Sequence, residues 1–235
     1  MKITVFAAGS RGDIQPCIAL GKGLQQAGYS VLLAAPEDFA DFAQQYAVQF
    51  SPLSGDVQQI MASDTGRTFM QSGGINPISS IRAMRAMAGP IALNMAEDAY
   101  AACRDADAII CLGVLGAFGQ SIAESRNIPI LYLEPTPLLP TREFPAPGWP
   151  MQRNLGGWHN YLSGLAMLQV IWMWFSPSVN EFRRRLGLPG YGAANLLSTL
   201  RTVHMLSAYS PSIIAHPRDW PPSGYSVNSK STILF

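Results

Sequence analysis

The sequence has few charged residues for a globular protein. Only 13% of its 235 residues are charged, whereas 48% are hydrophobic. This composition is typical of a folded chain with one large domain or two small ones, not of a disordered chain. Because so few charges are available to cover the surface, we expect another molecule or domain to cover part of the apolar surface.

The sequence also lacks the residue spacings of disulfide frameworks and metal sites. Its three cysteines, Cys17, Cys103 and Cys111, form no Cys-x-x-Cys pair, and its three histidines are widely separated. Buried, reduced thiols in a cytoplasmic protein are the favoured interpretation. No metal site is expected, because zinc ligands recur at close, regular spacings.

Positive charge is not concentrated anywhere along the chain. Sixteen basic residues nearly balance fifteen acidic ones, and no basic run occurs. Nucleic acid is therefore not an expected partner. The first apolar run, residues 3–8, is short and ends in Gly-Ser-Arg-Gly-Asp, unlike a signal peptide.

The most apolar stretch is LSGLAMLQVIWMWF, residues 162–175. It is shorter than the roughly 20 residues that span a bilayer. A helix that is apolar on nearly every side is buried, or it lies against a partner or a membrane surface. Peripheral membrane contact is therefore one expectation. The arginines at 183–185 could add attraction to anionic lipid, although a solvated helix face explains them better.

Short apolar runs alternate with helical patterns along the chain. Strands are predicted at residues 2–8, 30–36, 48–53, 107–113, 128–135 and 202–210. Helices are predicted at 16–28, 37–46, 76–106, 119–127, 157–175, 177–186 and 192–200, with a kink or break at Pro90 and an irregular tail. This alternation predicts an α/β fold with a doubly wound, Rossmann-like parallel sheet.

The turn after the first strand, AAGSRGDIQP at residues 7–16, is unusually rich in polar groups. Ligands bind at the carboxyl ends of such strands, and a helix N-terminus favours an anion there. The turn lacks the GxGxxG and P-loop patterns, which disfavours NAD, FAD and P-loop nucleotide sites. Spacing alone leaves a plain connection as the simpler interpretation.

Asp13 has two possible roles in this turn. It could cap the following helix, or its carboxylate could accept a proton from a bound hydroxyl. If Pro16 occupies the first helical position, Asp13 lies before the helix and capping is disfavoured.

Several stretches together resemble a known family. They are GSRGDIQP with ALGKGLQQAGYSVLLAAP, then LLPTREFPAP (138–147), VNEFRRRLGLP (179–189) and YSPSIIAHPRDWP (209–221). They resemble the N-terminal, acceptor-binding domain of GT-B-fold nucleotide-sugar glycosyltransferases of the family 28 type, in the branch that glycosylates sterols, lipids and natural products. The resemblance extends to about residue 224.

The resemblance implies that residues 1–224 form one half of a two-domain enzyme. Such an enzyme moves a hexosyl group, with inversion, from a UDP- or dTDP-sugar to a hydroxyl of a lipid, sterol or similar apolar acceptor. The nucleotide-sugar is a co-substrate, and no cofactor or metal is expected. By the same resemblance Asp13 is the general base, and Ser10, Arg11 and Gly12 face the donor phosphates.

The acceptor pocket is expected around the family's variable loops. The residues assigned to it are Phe69, Met70, Met87, Phe118 and Trp149. Methionine and aromatic side chains suit an adaptable apolar pocket, although each one alone is as readily an ordinary core residue.

The sequence departs from the family in lacking the donor half. No His-Gly-Gly-rich motif is present, and residues 225–235 diverge from the family pattern. A truncated or frameshifted gene, a separate donor subunit and a stand-alone module that binds an apolar ligand are the alternatives. Because transfer needs donor and acceptor held together, we expect the chain alone to transfer no sugar.

Overall fold

A computed structural model describes residues 1–55, 77–147, 149, 154–220 and 224–226. The strands are β1 (Lys2–Phe6), β2 (Ser30–Pro36), β3 (Gln49–Leu53), β4 (Ala108–Leu112), β5 (Ile130–Glu134), β6 (His204–Ser207) and β7 (Gly224–Ser226). The α-helices are α1 (Arg11–Gln26), α2 (Ala40–Gln45), α3 (Pro77–Ala102), α4 (Gly116–Arg126), α5 (Gly157–Arg185) and α6 (Ala193–Thr202). Two 3-10 turns, Glu37–Phe39 and Gly113–Leu115, precede α2 and α4.

The seven strands form one parallel sheet in the order β3-β2-β1-β4-β5-β6-β7. β1 pairs with β2 on one side and with β4 on the other, in register Val5 with Leu33 and with Ile110. The order of the strands therefore reverses between β1 and β4, which is where open α/β sheets bind ligands. The predicted doubly wound parallel sheet is confirmed.

Successive residues of each central strand pack on opposite faces of the sheet. Val5 and Ala7 lie in the core beneath α1 and α2, whereas Phe6 and Ala8 lie in the larger core with α3, α4, α5 and α6. Because both faces are covered, these strands are apolar without alternation. The continuous apolar runs in the sequence have this origin.

Three proline positions differ from the predictions. α1 begins at Arg11 rather than Pro16, and α3 and α5 run without interruption through Pro90 and Pro177. A proline removes one helical hydrogen bond, and packing can compensate for that loss. α3 and α5 lie against each other there, and Ser178 Oγ donates to the Gly89 carbonyl oxygen at 2.8 Å.

The tail also differs from its prediction as irregular, because residues 224–226 pair with β6. Among the described residues, one helix is long and apolar enough to cross a membrane by length and composition alone. This helix is α5, with 29 residues, and only 33% of its most apolar window is buried. Core helices of soluble proteins meet the same criterion.

Candidate functional site

The β1–α1 turn brings Ser10 and Asp13 into direct contact. Ser10 is the N-cap of α1, and its backbone N–H donates to Asp13 Oδ2 at 2.7 Å. Its hydroxyl donates to the same oxygen at 3.0 Å. Gly9 has a φ of +139°, and a Cβ at this position would lie 2.4 Å from Asp13 Oδ2. Glycine is therefore required here by the backbone conformation and by the carboxylate.

Asp13 lies in the first turn of α1, so the prediction that it precedes the helix is wrong. The reason is that Pro16 is accommodated inside the helix instead of starting it. A carboxylate in the first turn is stabilised by the helix dipole. Both of its hydrogen bonds from described residues reach Oδ2, which leaves Oδ1 of this half-buried side chain open to another donor.

The other residues of the turn are exposed. Arg11 places its guanidinium 5.0 Å from the centroid of the Phe42 ring, at the start of α2. Ser10 and Gly12 are also exposed. The turn thus presents polar groups and a helix N-terminus to solvent at the carboxyl edge of the sheet, where an anion is favoured.

An apolar cavity lies at the same edge, after β4. It encloses about 450 Å³ of empty space, the open mouth included. The loop that follows β5, residues 135–147 and 149, is called the proline-rich loop. The residues that line the cavity come from the 3-10 turn after β4, from α4, α5 and α6, and from the proline-rich loop: Gly113, Val114, Ala117, Phe118, Leu138, Leu168, Ile171, Trp172, Phe175, Val179, Leu196 and Leu200. Its apolar lining is that of a site for an apolar molecule.

The structure brings only one of the predicted acceptor residues to this cavity. Phe118 lines it and packs against Phe175. Met87 on α3 and Trp149 in the proline-rich loop are half-buried and are not among the lining residues. Phe69 and Met70 lie outside the described residues.

A second cavity, next to the first, contains a buried carboxyl group. Glu134, the last residue of β5, is 2% exposed, and neither of its carboxyl oxygens has a hydrogen-bond partner among the described residues. Burial raises the pKa of Glu134 to about 8. The carboxyl is therefore mostly protonated and uncharged at neutral pH.

This Glu134 cavity encloses about 310 Å³ of empty space, the open mouth included. Its lining joins the ends of β5 and β6 to the proline-rich loop and the C-terminal segment: Glu134, Pro137, Leu138, Leu139, Met205, Ser207, Tyr209, His216 and Trp220. Leu138 separates it from the apolar cavity and lines both.

Hydrogen bonds join the proline-rich loop to the segment that follows β6. The Thr141 hydroxyl donates to Asp219 Oδ1 at 2.6 Å, and the Arg142 backbone N–H donates to Asp219 Oδ2 at 2.8 Å. In the reverse direction, the backbone N–H of Arg218 donates to Glu143 Oε1 at 2.8 Å. These bonds hold the loop over the Glu134 cavity.

Sequence reasoning missed Glu134, although the sequence contains a signal for it. A charged residue ends the otherwise apolar run ILYLE at the carboxyl end of a strand. Tyr209 and Trp220 carried no comparable signal, because they approach Glu134 only in the folded chain.

The three cysteines are buried and free, as predicted. Burial, with the nearby charge of Asp13, raises the pKa of Cys17 to about 12, and burial raises that of Cys103 to about 11. These thiols are therefore unreactive at neutral pH. Over the part of the chain that the structure describes, no cluster of three or more metal-ligating side chains occurs.

A family model for the glycosyltransferase family 28 N-terminal domain matches residues 3–145. This match spans the β1–α1 turn, Glu134 and part of the proline-rich loop. The chain belongs to this family. The resemblance drawn from the sequence is therefore confirmed, and the chain is a glycosyltransferase-type N-terminal domain.

Curated relatives place the domain near the sterol glucosyltransferases. The sterol 3-beta-glucosyltransferase of Aspergillus oryzae is 31% identical over 224 residues, which are 94% of this chain and 15% of that protein. The protein of the same name from Yarrowia lipolytica is 29% identical over 222 residues, again 94% and 15%. The chain thus spans about 15% of the length of these relatives.

Solved glycosyltransferases share the fold. The chain matches SnogD from Streptomyces nogalater with a TM-score of 0.58 and 15% identity, over 97% of this chain and 50% of that one. It matches the Streptomyces glycosyltransferase SsfS6 with a TM-score of 0.54 and 17% identity, over 97% and 53%. At these identities the likeness shows the GT-B-type fold of one half of such enzymes.

Proposed function

We propose that this chain is the acceptor-binding half of a glycosyltransferase that moves a hexosyl group from a UDP- or dTDP-sugar to a hydroxyl of a sterol, lipid or similar apolar molecule. The observation that carries the proposal is the apolar cavity at the carboxyl edge of the sheet, beside the switch point between β1 and β4. Its aliphatic and aromatic lining favours a hydrophobic acceptor body over a free sugar. The sterol glucosyltransferase names of the relatives favour the same class.

Asp13 is the proposed general base. Its Oδ2 is occupied by Ser10, which fixes the orientation of the carboxylate, while Oδ1 is open to accept the acceptor's hydroxyl proton. As Asp13 takes this proton, the acceptor oxygen bonds to the anomeric carbon of the sugar, and the bond from that carbon to the diphosphate breaks on the opposite face. The nucleoside diphosphate leaves, and the configuration at the anomeric carbon is inverted.

Ser10, Arg11 and Gly12 are proposed to face the donor diphosphate across the interdomain cleft. The support is their exposure and their place at the N-terminus of α1, where unpaired N–H groups and the helix dipole attract anions. The donor itself would be held by a second domain or subunit, and the role needs no cofactor or metal from this chain.

The test is glucosyl transfer from UDP-glucose to a sterol by this chain joined to the donor domain of a sterol 3-beta-glucosyltransferase. Asp13→Asn should lower the rate about a thousandfold, because the amide cannot accept the proton. The fold should persist, because the amide oxygen still accepts from Ser10. The unjoined chain should transfer no sugar.

Asp38→Asn is the matched control, since Asp38 is an exposed aspartate in the 3-10 turn Glu37–Phe39 that precedes α2. It should retain full transfer activity. Transfer by Asp13→Asn at the rate of this control would exclude Asp13 as the base.

A non-catalytic module that binds an apolar ligand is the second candidate. It is favoured by the capping role of Asp13, which explains that residue without catalysis. It predicts that the chain binds sterol, that Asp13→Asn binds it equally well, and that no joined donor domain yields transfer. Equilibrium dialysis with a labelled sterol measures the binding.

Membrane association of a cytoplasmic protein is a further proposal. Trp158 and Leu162, one helical turn apart on α5, are 70% and 56% exposed, and Leu155 just before the helix is 58% exposed. Exposed side chains of this kind insert into the lipid interface. Sedimentation with vesicles of neutral lipid, with Trp158→Ser as the comparison, tests this contact.

A further inference from the structure

The Glu134 cavity contains more unpaired polar groups than a packed interior tolerates. The Glu134 carboxyl oxygens and the Trp220 indole Nε1 are buried without a hydrogen-bond partner among the described residues. The Tyr209 hydroxyl is buried as well, and its polar neighbour is the Ser207 side chain, at a looser geometry than a regular hydrogen bond. All three side chains line this one cavity. Buried polar groups are normally satisfied, so their convergence on one empty space indicates a missing polar partner.

The carboxyl group of Glu134 occupies space that a neighbouring glycine leaves free. A Cβ at Gly113 would lie 1.8 Å from Glu134 Oε1. Glycine at the end of β4 therefore leaves the space that the carboxyl occupies. The arrangement is built from separate parts of the chain: β4, β5, the end of β6 and the segment that contains Trp220.

The groups in the cavity define the chemistry of the missing partner. A protonated carboxyl both donates and accepts, a tyrosine hydroxyl does the same, and an indole N–H donates. The other lining residues are mainly apolar (Pro137, Leu138, Leu139 and Met205), together with Ser207 and with His216, whose Nδ1 lies 3.0 Å from the Pro217 carbonyl oxygen. A neutral oxygen that can both donate and accept, or accept alone, satisfies these groups best.

The position of the cavity connects it to the proposed acceptor. Leu138 lines both cavities. Gly113 lines the apolar cavity and also lies directly beside the Glu134 carboxyl, which would collide with a Cβ at position 113. The Glu134 carboxyl therefore lies behind the wall of the apolar cavity, and a molecule bound in that cavity would reach the carboxyl past Gly113 and Leu138.

We propose that Glu134, Tyr209 and Trp220 form a polar subsite that binds a second neutral oxygen of the acceptor, a hydroxyl or a carbonyl, distinct from the hydroxyl that receives the sugar. The inference rests on the proposed function, because it assumes that the acceptor body fills the apolar cavity. It narrows the substrate class to apolar molecules with a polar group at each end.

The experiment compares two steroids that share one skeleton. The first is a mono-alcohol with a single hydroxyl on its first ring, and the second is the diol with an added hydroxyl on its last ring. Equilibrium dialysis with the full chain should show the diol binding about tenfold more tightly, since a site built to pair an oxygen discriminates against the analogue that lacks it.

Variants at the subsite separate hydrogen bonding from packing. Glu134→Met, of similar size but apolar, should abolish the preference for the diol, whereas Glu134→Gln should keep most of it, because the amide also donates and accepts. Tyr209→Phe should reduce the preference for the diol. This variant provides a second test of the subsite if Glu134→Met does not fold. Glu37→Met, at an exposed position in the 3-10 turn before α2, should leave the preference unchanged.

Equal affinity of the chain for the two steroids would overturn the subsite and leave the proposed acceptor class intact. It would mean that the cavity holds ordered water instead. A preference that survives in Glu134→Met and Tyr209→Phe would also overturn the assignment. Failure of both steroids to bind would instead overturn the sterol-like acceptor class, and the subsite with it.

Discussion

Two carboxyl groups at the carboxyl edge of the sheet differ in almost every physical respect. Asp13 is half-buried, accepts two hydrogen bonds from Ser10 and lies in the first turn of a helix. Glu134 is 2% exposed and has no partner among the described residues. Both occupy space that a neighbouring glycine leaves, Gly9 beside Asp13 and Gly113 beside Glu134.

The comparison shows that a recognisable motif and an unexplained site need not coincide. The partners of Asp13 are three residues away in sequence, so the GSRGD pattern contains its own structural explanation. Glu134 is surrounded by groups from distant parts of the chain. Burying a carboxyl group without a hydrogen-bond partner costs free energy. The less obvious carboxyl group is therefore the one that local structure leaves unexplained.

Replacing Glu134 by glutamine should have the largest effect on stability. Its folded pKa of about 8 lies above the unfolded value of 4.5, so folding takes up a proton between these two values. Stability from this group is complete below pH 4.5, falls as pH rises, and reaches its minimum above the folded pKa. Glu134→Gln should thus be about 3 kcal/mol more stable than the native chain at neutral pH.

Urea unfolding at several pH values measures this difference. The gain should shrink toward zero below pH 4.5, where the carboxyl is protonated in both the folded and the unfolded chain. Glu37→Gln, at an exposed site, should show no such trend. A gain for Glu134→Gln that does not vary with pH would contradict the buried, protonated carboxyl.

Substitution of the two glycines by alanine should each cost about 2 kcal/mol, for different reasons. Gly113→Ala pushes its Cβ into the Glu134 carboxyl, whereas Gly9→Ala also forces a side chain onto a φ of +139°. Removing the Glu134 carboxyl should therefore restore the stability of Gly113→Ala, whereas removing the Asp13 carboxyl should not restore that of Gly9→Ala. Thermal unfolding of two double variants tests this. Gly113→Ala/Glu134→Ala is compared with Gly113→Ala alone, and Gly9→Ala/Asp13→Ala is compared with Gly9→Ala alone.

Gly23→Ala is the control for these substitutions. Gly23 lies within α1, and a Cβ there meets no atom within 4 Å. Alanine should stabilise the chain at this position, by about 0.5–1 kcal/mol. If Asp13→Ala restored the stability of Gly9→Ala, the backbone strain assigned to Gly9 would be wrong.

Among the destabilising substitutions, Ser10→Ala should have the smallest effect, a loss of about 1 kcal/mol. It removes the hydroxyl that donates to Asp13 Oδ2 but keeps the backbone N–H bond to the same oxygen. The midpoint of urea unfolding measures the loss. A loss as large as that of Gly9→Ala would show that the hydroxyl, not the backbone, holds the carboxylate.

Strand pattern and turn composition were sufficient to predict the first six strands and their parallel arrangement, but not β7. The apolar runs that become β1, β2, β4 and β5 are recognisable because both faces of the sheet are buried. The helix boundaries predicted at Pro16 and next to Pro177 are wrong, and of the kink or break predicted at Pro90 no break occurs. Local propensity disfavours proline inside a helix, whereas tertiary packing, as between α3 and α5, offsets that cost.

For the site, the sequence by itself determined the β1–α1 turn, because its glycines, its serine and its aspartate act within one short segment. The sequence also determined the family, because several stretches that resemble the family's motifs occur in the same order along the chain. Only the tertiary structure decided which apolar residues line a cavity: Phe118 does, and Met87 and Trp149 are not among the lining residues. It alone brought Tyr209 and Trp220 to Glu134, since a contact between distant segments depends on how helices and strands pack and not on local residue preference.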